Sequence, residues 1–301
     1  VSLFRRRRPD PGPWDLAAEA AAAFGRAGLP VSVAPEGDLV TADGRRFGLH
    51  NLRLVLESTP RARWRAVVDR HARTMAAAVR ADDPASLEEV ADILLPRVVD
   101  AGVAGGTLPA RALAAGRPLA PGLCVLPALD RPETVATLTA VEALGGWDAI
   151  WPVATANLRR LPLPEHLVVD TETVPSARVH VFRSEDFFGA SRVLDLDHLL
   201  AATLRLERPA QGTLVVLPNR HVLAAHVVES AAVLRAVPAL LAFAEAQADG
   251  PGPLSPHVYH RSADGRLEQV SSRDADGAVH VDATGSLGQA LAALGLTGDD
   301  A

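Results

Sequence analysis

The sequence predicts an α+β protein with mixed or antiparallel sheets, packed helices and two linked halves. Three observations point there. Short apolar runs alternate irregularly with helix-period segments, several neighbouring runs are joined by hairpin-type turns, and the chain is long enough to bury a sizeable core at 301 residues. Regular βαβ alternation, which would argue for a doubly wound sheet, is not present.

Residues 1–13 contain Arg5-Arg6-Arg7-Arg8 and Pro-Gly-Pro at 11–13 and read as a flexible arm. The acidic Asp10, Asp15 and Glu19 interrupt the place where the apolar core of an export signal would begin. The arm is therefore expected to be a solvated tail, with contact to acidic lipid or nucleic acid as the alternative. From Trp14 to Ala27 the spacing of Leu16, Ala20, Ala23 and Phe24 predicts a helix, which Gly28-Leu29-Pro30 ends. Strands are expected at 31–34, 39–41 and 46–49, around turns at Glu36-Gly37-Asp38 and Asp43-Gly44. Asn51 is placed to cap a short helix, and Pro60 to start a longer one through Arg80. On that helix His71 falls at core spacing and reads as a partly buried helix residue.

The run from Ile93 to Val99 reads as a strand that completes an N-terminal region over 14–100. Residues 101–121, rich in Gly, Ala and Pro, read as a linker or insertion. The stretch Gly102-Val103-Ala104-Gly105-Gly106-Thr107 lacks the Lys-Ser/Thr pair of a phosphate-binding loop. A second α+β domain is expected over 122–272. Its elements are a strand at 123–129, a helical or turn-rich segment to 144, and a helix at 147–161. They continue with a strand at 178–183, a helix at 188–204, a strand at 213–217, and a strand or short helix at 222–228. A helix at 231–248, broken or kinked at Pro238, precedes a hairpin around Asp264-Gly265. Residues 273–301 are mostly polar, with one short apolar helix near Leu287 to Leu294, and read as a loosely held tail.

Composition narrows the function classes. A net charge of −6 gives no field for nucleic acid, which is not expected as a partner. All 30 basic residues are Arg, a pattern that fits a high-GC bacterial genome rather than selection at single sites. The lone Cys124 allows no internal disulfide and suits a reducing, cytoplasmic setting. It lies in an apolar run and reads as an inert buried thiol. The 10 histidines form no His-Glu-x-x-His pair and no Cys-x-x-Cys accompanies them, so neither a metal nor another cofactor is expected. Asp195 and His198 share a helix face, an arrangement that surface hydrogen bonding explains more cheaply than catalysis does.

Two segments carry polar groups that core patterning does not explain. Residues 154–162 present Asn157, Arg159 and Arg160 at a helix end. Residues 186–194 place Asp186, Ser191 and Arg192 near a helix start, where amides and a guanidinium can hold an anion. Arg192 can equally pair with Asp186 and fix the fold. With Asn219 and His221 in the turn after Pro218, these are the candidate ligand-binding residues; no catalytic residue is assigned.

Residues 123–228 resemble the DUF1444 family, also called UPF0354, of uncharacterised YtpQ-like bacterial proteins. The resemblance rests on Ala-x-x-Asn-Leu-x-x-Leu-Pro at 154–162, Asp-x-x-x-Ala-Ser-Arg-x-Leu at 186–194, and Gly212 through Pro218-x-x-x-x-Leu223. Phe188 stands where such proteins tend to have Tyr, and His221 where an Asp is usual. The resemblance implies no catalytic residues. The expected function is a non-catalytic binding or adaptor module with a protein or anionic small-molecule partner. The alternative is a hydrolase or other enzyme acting on a phosphorylated or anionic small molecule.

Overall fold

A computed structural model describes residues 14–35, 37–80, 84–101, 110–131, 134–170, 177–274 and 276–296. The Arg5–Arg8 arm and the Gly102–Thr107 stretch lie outside the described residues. The chain forms two compact units, 1–81 and 82–301.

The first unit holds α1 (Leu16–Arg26), a three-stranded meander of β1 (Val31–Val33), β2 (Leu39–Thr41) and β3 (Arg46–Phe47), then α2 (His50–Glu57) and α3 (Trp64–Arg80). Asp15 caps α1 by accepting the Ala18 N–H at 3.1 Å. Phe24, Leu39, Leu52, Leu56, Val68 and Ala72 form one core. His71 is half-buried beside Phe24, as its spacing predicts, and burial lowers its pKa. Asn51 does not cap α2. It lies inside the helix, because the preceding Leu49 and His50 already take up the turn.

The second unit opens with α4 (Leu87–Val90), β4 (Leu94–Asp100), α5 (Ala110–Ala114), β5 (Arg117–Ala120), β6 (Leu123–Arg131) and β7 (Thr134–Thr137). It continues with α6 (Gly146–Arg160), β8 (Glu165–Asp170), β9 (Arg178–Arg183), a 3-10 turn at Ala190–Asp195 and α7 (Leu196–Leu204). The hairpin β10 (Thr213–Asn219) and β11 (Val222–Val227) leads to α8 (Val233–Ala246), β12 (Val258–Arg261), β13 (Leu267–Gln269), β14 (Ser271–Arg273), β15 (Val279–Val281) and α9 (Ser286–Ala293).

An antiparallel sheet in the order β13-β12-β10-β11-β9-β8 is the centre of this unit. Period-2 alternation sends Val179, Val181, Leu214, Val216 and Val258 to one face, where they meet α8 and α9. Phe182, Val215, Leu217, Leu223 and Tyr259 go to the other, where they meet α7 and the residues Val98, Leu123 and Val125 of a second sheet. That sheet has the order β4-β6-β5, with β7 also on β6. Its two prolines avoid the ladder. Val98 turns its N–H outward to Ser191, so Pro96, of the same parity, leaves its missing donor on the free edge of β4. Pro127 falls between the β5 register, which reaches Val125, and the β7 register, which starts at Ala128.

Several expectations change. The division between units falls near residue 81 and not across 101–121, because β5 joins the same sheet as β4 by pairing with β6. The stretch before Leu144 is helical only at its end; Val135 and its neighbours pair with Asp130 and its neighbours as a strand. Residues 190–195 form a 3-10 turn before the helix proper, tightened against β4 by the Ser191 hydroxyl. The helix containing Pro238 runs through it unbroken. Leu234, whose carbonyl loses its usual donor at Pro238, is an exposed residue of the helix. The segment after 273 is not a loose tail as far as residue 296: Leu287 and Leu291 are buried in the core of α8, and the Ser286 hydroxyl meets His260 Nδ1 at 2.7 Å.

Candidate functional site

The strand pair β10–β11 slips by one residue between Val216 and Asn219, which makes a bulge that accommodates Pro218 and sets the tight turn Arg220-His221. The 184–190 segment clasps this turn: Ser184 N–H donates to the His221 carbonyl at 2.9 Å and Ala190 N–H to the Arg220 carbonyl at 3.0 Å. A Cβ at Gly189 would lie 2.4 Å from the His221 carbonyl oxygen, so the approach requires glycine there.

His221 Nδ1 lies 2.8 Å from the Asp186 carbonyl oxygen and 3.2 Å from that of Ser184, and Arg220 Nε donates to His221 Nε2 at 3.0 Å. An imidazole that donates from Nδ1 and accepts at Nε2 is neutral. Burial and the neighbouring Arg220 charge lower its pKa, in agreement. The Arg220 guanidinium lies over the Phe187 ring at 4.2 Å. Burial, and then repulsion from Arg97, lower the Arg220 pKa to about 10.

Arg97 enters from β4. The side chain is half-buried, its Nε is sealed from solvent without a hydrogen-bond partner, and burial lowers its pKa as well. Ser184 Oγ is likewise buried without a partner. Asp186 on the 184–190 segment is already committed. Asp186 accepts from Arg192 through both oxygens, at 3.2 and 3.0 Å, and takes the Phe188 N–H at 2.8 Å. The Arg97 charge is near enough to depress the Arg220 pKa, and among the described residues no ion pair joins a carboxylate to either guanidinium.

The other expected residues serve the fold. Asn157 is buried and donates to the carbonyls of Ala91 and Leu94, while its oxygen accepts from Arg160 at 3.2 Å. Ser191 Oγ accepts the Val98 N–H at 2.9 Å, and Arg192 also donates to the Pro162 carbonyl at 2.8 Å. Asn219 spans from the Gln247 carbonyl to the His221 N–H. Arg159 pairs with Asp195 and so occupies the carboxylate that His198 would need. Arg159, Arg192, Asp195 and His198 do line one cleft, but at 20 Å³ it has room for about one water.

The structure therefore gathers Asp186, Arg192, Asn219 and His221 around one turn and links them to Arg97, Arg220 and Ser184, which the sequence reading did not single out. Arg220 adjoins a flagged residue, so proximity alone could have raised it. Arg97 lies in an apolar strand run, and a charged residue between Pro96 and Val98 was the available signal. Among the described residues no three His, Cys, Asp or Glu side chains assemble as a metal site, and no helix is long and apolar enough to cross a membrane. In comparisons with known proteins the chain matches no family model, no curated protein and no solved structure.

Proposed function

We propose that this protein is a non-catalytic binding module whose ligand is a compact anion of the phosphate class, held between Arg97 and Arg220. One observation carries the reading: Arg97 Nε is buried without a partner beside a second, like-charged guanidinium. A donor sealed from water without a partner carries an unrepaid desolvation cost, and an anion bridging two guanidiniums removes it. The non-catalytic part is supported by the engagement of three nucleophile- or base-like groups flagged in the sequence. Ser191 holds a strand amide, Asp186 is neutralised by Arg192, and the His221 lone pair is taken by Arg220.

Membership among the DUF1444-like proteins and a cytoplasmic location belong to the same proposal. The first is supported by the meeting of motif segments through the Arg192–Pro162 and Asp186–His221 contacts, the second by the single buried thiol.

The test is calorimetry and thermal unfolding of the full chain with inorganic phosphate. Phosphate should bind with measurable heat and raise the Tm, and Arg97→Met and Arg220→Met should each abolish the rise. Absence of both heat and shift would remove the anion reading. Release of phosphate from a generic phosphomonoester, lost in the same variants, would overturn the non-catalytic part.

A further inference from the structure

Strand β8 ends the six-stranded sheet, and among the described residues nothing pairs with its outer edge. Exposed edge strands in monomeric proteins usually carry charge, proline or a bulge. Here the middle of the strand is Leu167-Val168-Val169, three apolar side chains that are 42%, 47% and 51% exposed. The helix α8 packs over β9 to β12, and along β8 only His166 is half-buried while its other residues are exposed.

We infer that β8 pairs antiparallel with the β8 of a second copy of this chain, about a two-fold axis through Val168, to join the two sheets edge to edge. The register follows from the pleat. A two-fold axis perpendicular to the sheet keeps its faces continuous only when paired residue numbers share parity, since a one-residue slip sends every side chain to the wrong face. Three registers centre such an axis on the apolar triplet, and the one through Val169 sets Val168 opposite Asp170, aliphatic against charge. Centred on Leu167, the strands set Glu165 opposite Val169 and His166 opposite Val168, charge or imidazole against aliphatic. Centred on Val168, they set His166 opposite Asp170, Leu167 opposite Val169 and Val168 opposite itself. Only the register through Val168 matches chemistry across the seam, with aliphatic pairs at the middle and an imidazole–carboxylate pair at each end.

The ends are prepared for it. His166 stacks on Phe182 and lies 3.1 Å from His180 through Nε2, which leaves Nδ1 for the carboxylate of the second copy. Asp170 is held at 3.3 Å by Arg178 on the neighbouring strand, an exposed pair that positions the carboxylate without burying it. The main-chain bonds of the new ladder supply the affinity and the triplet supplies the register. A seam of this size belongs with weak, concentration-dependent interfaces.

Sedimentation equilibrium of the full chain over a concentration series tests the inference, with Val168→Lys as the disrupting variant. Val168 is exposed, so the variant should keep its circular dichroism and Tm while placing two ammonium groups opposite each other. Its dimer dissociation constant should rise about tenfold or more. A second measurement fixes the register: under mild oxidant Val168→Cys should cross-link to itself, and Leu167→Cys should cross-link only when Val169→Cys is also present. A chain that stays monomeric at every concentration overturns the inference. So does a dimer that Val168→Lys leaves intact, or one that Leu167→Cys alone cross-links.

Discussion

Arg220 donates its Nε hydrogen to Nε2 of His221 at 3.0 Å, and that bond fixes the imidazole in its neutral form. Protonation at Nε2 would set two cations nitrogen to nitrogen, so His221 resists acid. The same sign holds across the second unit. Burial, the largest cause in each case, depresses the pKa of His180, His221, His226, His257 and His260, with His180 falling to about 4.

This predicts a stability curve that falls on the acid side. A histidine whose folded pKa lies below its unfolded value takes up protons more readily when unfolded, so its contribution is complete above about pH 6.5 and is lost as pH drops toward the folded value. Urea midpoints measured from pH 7 to pH 4.5 should decline steadily. His180→Phe, which removes the one imidazole here pushed as low as about 4, should flatten the decline. An unchanged slope in that variant would assign the acid sensitivity elsewhere.

Breaking the Asp186–Arg192 pair should be costly and asymmetric. The Arg192 side chain is 7% exposed and that of Asp186 25%, so the orphaned guanidinium is the worse sealed charge. Asp186→Ala should lose about 3–5 kcal/mol, the usual range for stranding one member of a buried pair. Arg192→Met should lose less, because Asp186 keeps the Phe188 N–H and some access to water. Guanidinium unfolding of the two variants gives the ordering directly, and the reverse order would refute the burial argument.

Ser191 has the chemistry of a nucleophile and the position of a strap. Its hydroxyl accepts the outward N–H of Val98 on the free edge of β4, a bond between residues 93 apart in sequence. Ser191→Ala leaves that amide buried and unsatisfied, at about 1–3 kcal/mol. Hydrogen exchange at Val98 should rise with the loss of stability. A variant as stable as the wild type would mean that Ser191 is free for other work.

The same residues show what sequence reasoning reaches. Phe24, Ile150 and the alternating valines of β9 announce their elements, because burial writes a period of 3.6 or 2 into the chain. Strand β8 was invisible for the complementary reason: nearly every residue is exposed, so no alternation marks it. Asp186 and Arg192 were legible as a pair with two meanings, and only their bidentate contact selects the structural one. Arg97 was missed because its significance is relational. A charge inside an apolar strand run marks the position, but its meaning comes only when the fold seals its Nε and brings Arg220 near it.

Two glycine substitutions should move stability in opposite directions. In Gly25→Ala the new methyl meets nothing within 4 Å, and the residue lies inside α1, where glycine costs conformational entropy. The first unit should gain about 0.5–1 kcal/mol. In Gly189→Ala the methyl would stand 2.4 Å from the oxygen and 2.5 Å from the carbonyl carbon of His221, and backbone cannot swing aside as a side chain does. The 184–190 segment must lift from the Arg220-His221 turn, loosening the Ala190-to-Arg220 and Ser184-to-His221 bonds together. Overpacking of this kind costs about 1–3 kcal/mol. Because the lift also displaces Arg220 from its stack on Phe187, the variant should lose the phosphate-induced rise in Tm along with stability. A Gly189→Ala protein that is destabilised yet still shows the full rise would separate the turn from the anion and leave Arg97 to hold it alone.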